Sequence, residues 1–156
     1  MLPSPLQIRP ATLADVPAMA RLEEISFPGD RLSARALRRL VREGRALCLV
    51  AENDGRLAGD AIALPRRGSR SLRLYSVAVD PAFRKAGIGT ALLAACEQWA
   101  NSACHDEIRL EVREDNAAAI RRYLATGYVT TGRKPDFYDD GAAAIVMKKS
   151  LGAIPA

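Results

Sequence analysis

Residues 84–93 read RKAGIGTALL. The stretch follows an apolar run, residues 72–79 (LRLYSVAV), and opens a segment of apolar residues at helical spacing that lasts to about Ala100. Strand, glycine-containing turn, helix is an arrangement that presents backbone N–H groups to a phosphate. Gly87 and Gly89 carry no Cβ, so the backbone can approach a ligand closely. The first N–H groups of a helix have no intrahelical partner, and the helix dipole favours an anion there. Arg84 and Lys85 add positive charge beside the turn. The spacing Arg-x-x-Gly-x-Gly is shorter than a dinucleotide Gly-x-Gly-x-x-Gly, and the absence of Gly-Lys-Ser/Thr excludes a nucleoside-triphosphate loop. Two glycines alone fit an ordinary strand-to-helix turn equally well, so the flanking sequence has to decide.

Upstream, residues 6–9 form a first strand. Thr12 with Asp15 three residues on reads as an approximate capping box, and Val16, Met19, Leu22 and Ile25 follow at helical spacing. Phe27-Pro28-Gly29 stops that helix; Ser33 caps a second short one that ends before Gly44. Residues 46–52 and 57–64 flank the turn signal Asn53-Asp54-Gly55 and read as a hairpin. Downstream, the helix from Thr90 places Leu92, Cys96 and Trp99 on one face, which makes Trp99 a core residue. Residues 108–112 alternate, with Ile108, Leu110 and Val112 on one face and Arg109, Glu111 and Arg113 on the other. Asp115 or Asn116 caps a helix over residues 117–125, with Gly127 as its C-cap. Residues 128–131 and 143–148 make a last strand pair, and a loose tail follows Leu151. This mixed α/β order predicts a twisted sheet with helices on both faces. A chain of 156 residues suits a single domain, with its core at about 8–149 and a tail at 150–156.

An apolar content of 49% with 26% charged residues indicates a folded globular protein, not a disordered one. A net charge of +5 helps attract a polyanionic ligand. The arginines of residues 35–45 (RALRRLVREGR) cluster, but no aromatic residues interleave. They read as the solvated side of a helix whose core side is Leu37, Leu40 and Val41, so no nucleic-acid partner is expected. Cys48 and Cys96 lie on apolar surfaces. Cys104 adjoins the lone histidine, His105, without companions at metal-ligand spacing, so no metal is expected. With no disulfide pattern, no secretory h-region and no run of about twenty apolar residues, a cytoplasmic location without a membrane partner is the expectation.

Residues 77–93, VAVDPAFRKAGIGTALL, resemble the acetyl-coenzyme A motif of the GNAT acyltransferases, whose Arg/Gln-x-x-Gly-x-Gly/Ala loop wraps the coenzyme's pyrophosphate. Residues 109–128, RLEVREDNAAAIRRYLATGY, resemble the signature of the RimI-like N-terminal acetyltransferases in that superfamily. The match holds at Leu110, Glu111, Val112, Arg113, Asn116, Ala119, Tyr123, Gly127 and Tyr128 with the spacing intact. The resemblance spans roughly residues 8–149. It implies the GNAT acyl-CoA N-acyltransferase fold, a mostly antiparallel sheet splayed at its centre, and a transferase that moves acetyl from acetyl-CoA to a primary amine. It implies that the coenzyme pairs with the backbone of Val77, Ala78 and Val79, whose N–H groups polarise the thioester carbonyl. The phosphates would lie in the turn of Arg84, Lys85, Ala86, Gly87, Ile88, Gly89 and Thr90, and Asn116 would bond the pantetheine arm as well as cap its helix. Acetyl transfer needs a base for the amine, a donor for the oxyanion and a proton for the thiolate. The resemblance assigns the base to Glu111 and the acid to Tyr123, with direct attack and no side-chain nucleophile. On its own, Glu111 also fits an exposed strand carboxylate paired with Arg109 or Arg113, and Tyr123 a core aromatic with a wet tip.

Departures from the RimI-like pattern fall on the acceptor side. Phe27-Pro28 is followed by Gly29-Asp30-Arg31-Leu32-Ser33 where those enzymes carry Pro-Trp-Ser. Their Tyr-Tyr pair is replaced by Phe137-Tyr138, followed by Asp139-Asp140-Gly141, and Asp60 stands after Gly59 where an aromatic is frequent. Asp139 and Asp140 either attract a cationic peptide or polyamine, or form a solvated turn. The acceptor expected is the N-terminal α-amine of a protein or peptide; a lysine side chain, a polyamine or a small amine metabolite keeps the same chemistry. A monomer or homodimer fits either. The alternative of another class is a non-catalytic coenzyme A-binding regulatory module, which has no need of the Glu111/Tyr123 pair.

Overall fold

The computed structural model describes residues 6–27, 32–84 and 86–152. Along the chain run β1 (Gln7–Pro10), a one-turn 3-10 helix (Leu13–Asp15), α1 (Val16–Ser26), α2 (Ala34–Glu43), β2 (Leu47–Asn53) and β3 (Arg56–Pro65). Then follow β4 (Ser71–Val79), a second 3-10 turn (Pro81–Phe83), α3 (Ile88–Ser102), β5 (Glu107–Arg113), α4 (Ala117–Ala125), β6 (Val129–Lys134) and β7 (Ala144–Ser150). The strands make one sheet in the order β1-β2-β3-β4-β5-β7-β6. Among the described residues every neighbouring pair is antiparallel except β4 and β5.

Local chemistry sets most boundaries. Thr12 and Asp15 form the capping box, with the Thr12 N–H donating to Asp15 Oδ2 at 2.7 Å. Ser33 Oγ accepts the Ala36 N–H at 3.1 Å, and Gly44, at φ +68°, ends α2. Asn116 Oδ1 accepts the Ala119 N–H and starts α4, which closes at Thr126, one residue before Gly127. Ser150 belongs to β7, and the Leu151 N–H donates to Asp106 O, so an ordered chain reaches further than the tail expected from residue 150. Pro28, Gly29, Asp30 and Arg31 lie outside the described residues.

Each face of the sheet has its own core. On one, α3 and α4 pack Leu92, Leu93, Cys96 and Tyr123 over Leu49, Leu72, Leu74, Ile108, Leu110 and Met147. On the other, Val16 and Met19 of α1 and Leu37 of α2 cover Cys48, Val50 and Ile62.

Two expected core residues are not there. At about 100° per residue, Ile25 falls on the side of α1 away from Val16 whereas Glu23 falls almost in line with it. Ile25 is accordingly 52% exposed and Glu23 only 1%. In α3 the buried line runs Ile88, Leu92, Cys96, Ala100, along an i+4 row that drifts around the helix. By the last turn Trp99 lies on its flank, 37% exposed and stacked on His105.

The ladder between β4 and β5 covers four pairs, Ser71↔Glu107 to Leu74↔Leu110. Beyond them β4 continues for residues 75–79 and β5 for residues 111–113, so the sheet opens at its centre. A bulge marks the point of divergence: Ile62 pairs with Ser76 and Ala63 with Leu74, which leaves Tyr75 as the extra residue. Leu74 therefore faces α3, Tyr75 and Ser76 both turn towards α1, and Val77 returns to the α3 side.

Candidate active site

Glu111 and Tyr123 lie on opposite faces of the sheet. Glu111 is on β5, facing away from α3. Its side chain is 5% exposed; Oε2 accepts from Arg73 Nε at 3.1 Å and Oε1 from Lys134 Nζ at 3.2 Å. The partners expected from its own strand are not used. Arg73 reaches Glu111 diagonally from its place opposite Arg109 on β4, and Lys134 reaches it from β6, beyond β7, so long side chains from other strands hold the carboxylate. Arg113 is held instead by Asp115 and Asp140.

Tyr123 is buried on the α3 side, its ring edge-on to Tyr128 at 5.4 Å. Among the described residues no hydrogen bond holds its hydroxyl. Burial, offset in part by the charge of Arg122, pushes the phenol up to about 12. It therefore keeps its proton throughout the neutral range and is a donor there.

Gly87 starts α3 in the left-handed conformation, φ +75°. Arg84, Ala86 and Thr90 are exposed around it, while Lys85 lies outside the described residues. The side chain of Ile88 is buried, so only its N–H is available to a ligand. Gly59 explains how the head of α3 comes so close to the strands: a Cβ there would lie 2.8 Å from Ala78 O and 3.2 Å from Ile88 Cγ2.

Gly89 reveals a residue that sequence reasoning missed. A Cβ at this position would lie 2.8 Å from Arg122 Nη1, so the Arg122 guanidinium from α4 rests directly on the first turn of α3. No carboxylate holds it among the described residues. A cation at the positive end of a helix is unfavourable unless an anion joins them. Arg122 immediately precedes Tyr123, yet in the sequence it is one of two adjacent arginines with nothing to distinguish them.

Val77 and Val79 turn their side chains into the core under α3 and Ala78 is buried, so any contribution from them comes through the backbone. The Asn116 carbonyl oxygen is used in its cap, which leaves its NH2 group for a ligand.

Behind the bulge lies a buried acidic group that periodicity did not reveal. Ser76 Oγ donates to Glu23 Oε1 at 2.9 Å, and the Leu32 N–H donates to Oε2 at 3.4 Å. Asp60, 0% exposed, has no hydrogen-bond partner on either carboxylate oxygen among the described residues. Burial raises both carboxyls above their ordinary range, and the charge of Glu23 adds to the effect on Asp60. Burial and then Asp60 lift the Cys48 thiol to about 11, and burial lifts Cys96 to about 12. Neither is a nucleophile at neutral pH. A hollow of about 210 Å³ is lined by Arg9, Asp15, Val50, Glu52 and Leu57. Among the described residues no group of three or more His, Cys, Asp or Glu is placed to hold a metal ion. Among the described residues no helix is long and apolar enough to cross a membrane.

The chain is 31% identical over 152 residues to the N-alpha-acetyltransferase RimI of Mycobacterium tuberculosis, covering 95% of this chain and 94% of that protein. It is 34% identical over 150 residues to an uncharacterized protein of Mycobacterium leprae, of whose length it spans 41%. It superposes on the ribosomal-protein-S18-alanine N-acetyltransferase from Escherichia coli with a TM-score of 0.85 and 25% identity, covering 97% of each chain. It shares its fold with yncA from Salmonella typhimurium, solved with acetyl-CoA, at a TM-score of 0.83 and 22% identity over 98% of each chain. The acetyltransferase (GNAT) domain family matches residues 16–151, which takes in every element from α1 to β7, and the chain belongs to that family.

Proposed function

We propose that this chain is an acetyl-CoA-dependent N-acetyltransferase whose acceptor is the N-terminal α-amine of a protein or peptide. The observation that carries the proposal is the four-pair ladder between β4 and β5, which opens with Glu111 on one face and Tyr123 on the other. The exposed turn at Arg84, Gly87 and Thr90 and the uncompensated Arg122 suit the coenzyme's phosphates. The N–H groups of residues 77–79 suit its pantetheine arm and thioester carbonyl. All three cysteines are free, which suits a reducing compartment.

The acceptor arrives as an ammonium and gives one proton, directly or through water, towards Glu111 and then to solvent. The nitrogen lone pair attacks the thioester carbon, and backbone N–H groups take the charge that develops on oxygen. Collapse breaks the C–S bond. The sulfur takes a proton from Tyr123, and the second proton shed by nitrogen restores the phenol. One amide, one thiol and one net proton result.

The test is coenzyme A release with N-terminal peptides, lysine peptides and polyamines as acceptors. Turnover of a peptide α-amine that stops when the N-terminus is already acetylated supports the reading. Acetyl-CoA binding without release for any amine moves the assignment to a regulatory module.

A further inference from the structure

The face that carries Glu111 also carries a row of cations that packing does not require. Arg73 on β4 stands opposite Arg109 on β5, and Arg109 stands opposite Lys148 on β7. Leu72, Leu74, Ile108, Leu110 and Met147 beside them point into the α3 core, so strand alternation puts all three cations on the other face. Like charges directly opposite one another destabilise a sheet. α1 packs on β3 and β4, and the Arg73 and Lys148 side chains keep 37% and 44% of their area exposed. Arg109 makes no ion pair among the described residues, and Lys148 approaches Glu107 only at 3.8 Å.

Lys134 adds a fourth cation at the end of β6. The Arg73 and Lys134 side chains are 37% and 48% exposed, above a Glu111 that is 5% exposed. An amine approaching Glu111 meets positive charge first. Nearby acids are already engaged: Asp140 holds Arg113 at 2.7 and 3.2 Å, and Glu114 holds Arg133. Asp140 is therefore not available in the way a cationic acceptor would need.

We propose that the acceptor carries a carboxylate near its reacting amine, bound by Arg73, Arg109 and Lys134. The inference rests on the acetyl-transfer reading above. Arg109 lies two residues from Glu111, about 7 Å along the strand. That span suits an N-terminal nitrogen and an acidic side chain in the first or second residue of a peptide; in a free amino acid the two groups are closer. The incoming carboxylate takes over Arg73 and Lys134, and the oxygens of Glu111 become free to receive the amine's proton.

The experiment measures kcat/KM at saturating acetyl-CoA for peptides that differ only in a Glu, Gln or Lys at residue two, and again with the substitution at residue one. Glu is expected to exceed Gln at least tenfold and Lys by more, with the preference shrinking as salt rises. Arg109→Gln is read as the Glu/Gln ratio, which a general loss of activity or folding does not move; the ratio is expected to fall below threefold and to recover in Arg109→Lys. Turnover of free glutamate but of no peptide keeps the carboxylate site and makes the acceptor a metabolite. Equal kcat/KM for all peptides, or a ratio unchanged by Arg109→Gln, overturns the inference and leaves acetyl transfer standing. No turnover of any amine overturns both.

Discussion

Asp60→Val tests the energetics of the buried acidic group. Asp60 is fully buried on β3, opposite Val50 and Ala78, with neither carboxylate oxygen hydrogen-bonded among the described residues. Leaving such a group unpaired costs about 1–3 kcal/mol. A second cost depends on pH. Burial raises the folded-state value above that of the unfolded chain, so over that interval the folded protein holds a proton that the unfolded chain has released. Stability then falls as pH rises, by about 1.4 kcal/mol per pH unit for one group, starting near pH ~4. Glu23 is raised too and acts with the same sign. Valine suits a strand and adds no polar atom. The variant should be more stable than the parent by about 2–4 kcal/mol at pH 5, with a gap that widens towards pH 7. With a urea m-value of about 2 kcal/mol/M, the midpoint at pH 5 should rise by roughly 1–2 M. Asp60→Asn separates the two costs, because it removes the titration and keeps unpaired polar atoms. Urea unfolding at pH 5, 6, 7 and 8 decides the matter. A valine variant no more stable than the parent, or a gap that stays constant with pH, refutes the reasoning.

Tyr123→Phe should lower kcat by about 100-fold, within the usual range for a general acid, with acetyl-CoA affinity by calorimetry unchanged; an unaltered kcat removes Tyr123 from the acid role. Glu111→Gln should slow transfer most below the α-amine's pKa of about 8, where the acceptor is protonated, and least above it. A rate deficit that does not vary with pH counts against Glu111 as base. Gly89→Ala puts a Cβ 2.8 Å from Arg122 Nη1 and must displace that guanidinium. It should weaken acetyl-CoA about tenfold, as should Arg122→Gln, and the double variant should be no worse than either, since both remove one charged contact. Additive losses refute a shared cause.

Local elements were legible because their causes are local. Ser33 and Asn116 cap the helices they precede, Gly44 ends one, and the alternation of residues 108–112 sets Glu111 apart from Ile108 and Leu110. The turn at 84–93 and the run at 109–128 were sufficient to suggest the fold and a site residue on each side of it. Periodicity failed where the line of contact drifts around a helix, as at Ile25 and Trp99, because docking angle is not written in any one segment. Tertiary structure alone decided the rest. It ended the β4–β5 ladder after Leu74 and Leu110 and placed the bulge at Tyr75. It gave Glu111 to Arg73 and Lys134, laid Arg122 on Gly89, and buried Asp60 without a hydrogen-bond partner among the described residues. Each of these depends on which strands and helices become neighbours and in what register. Residues far apart in the chain meet only through packing, so a local pattern states which way a side chain points but not what it meets there.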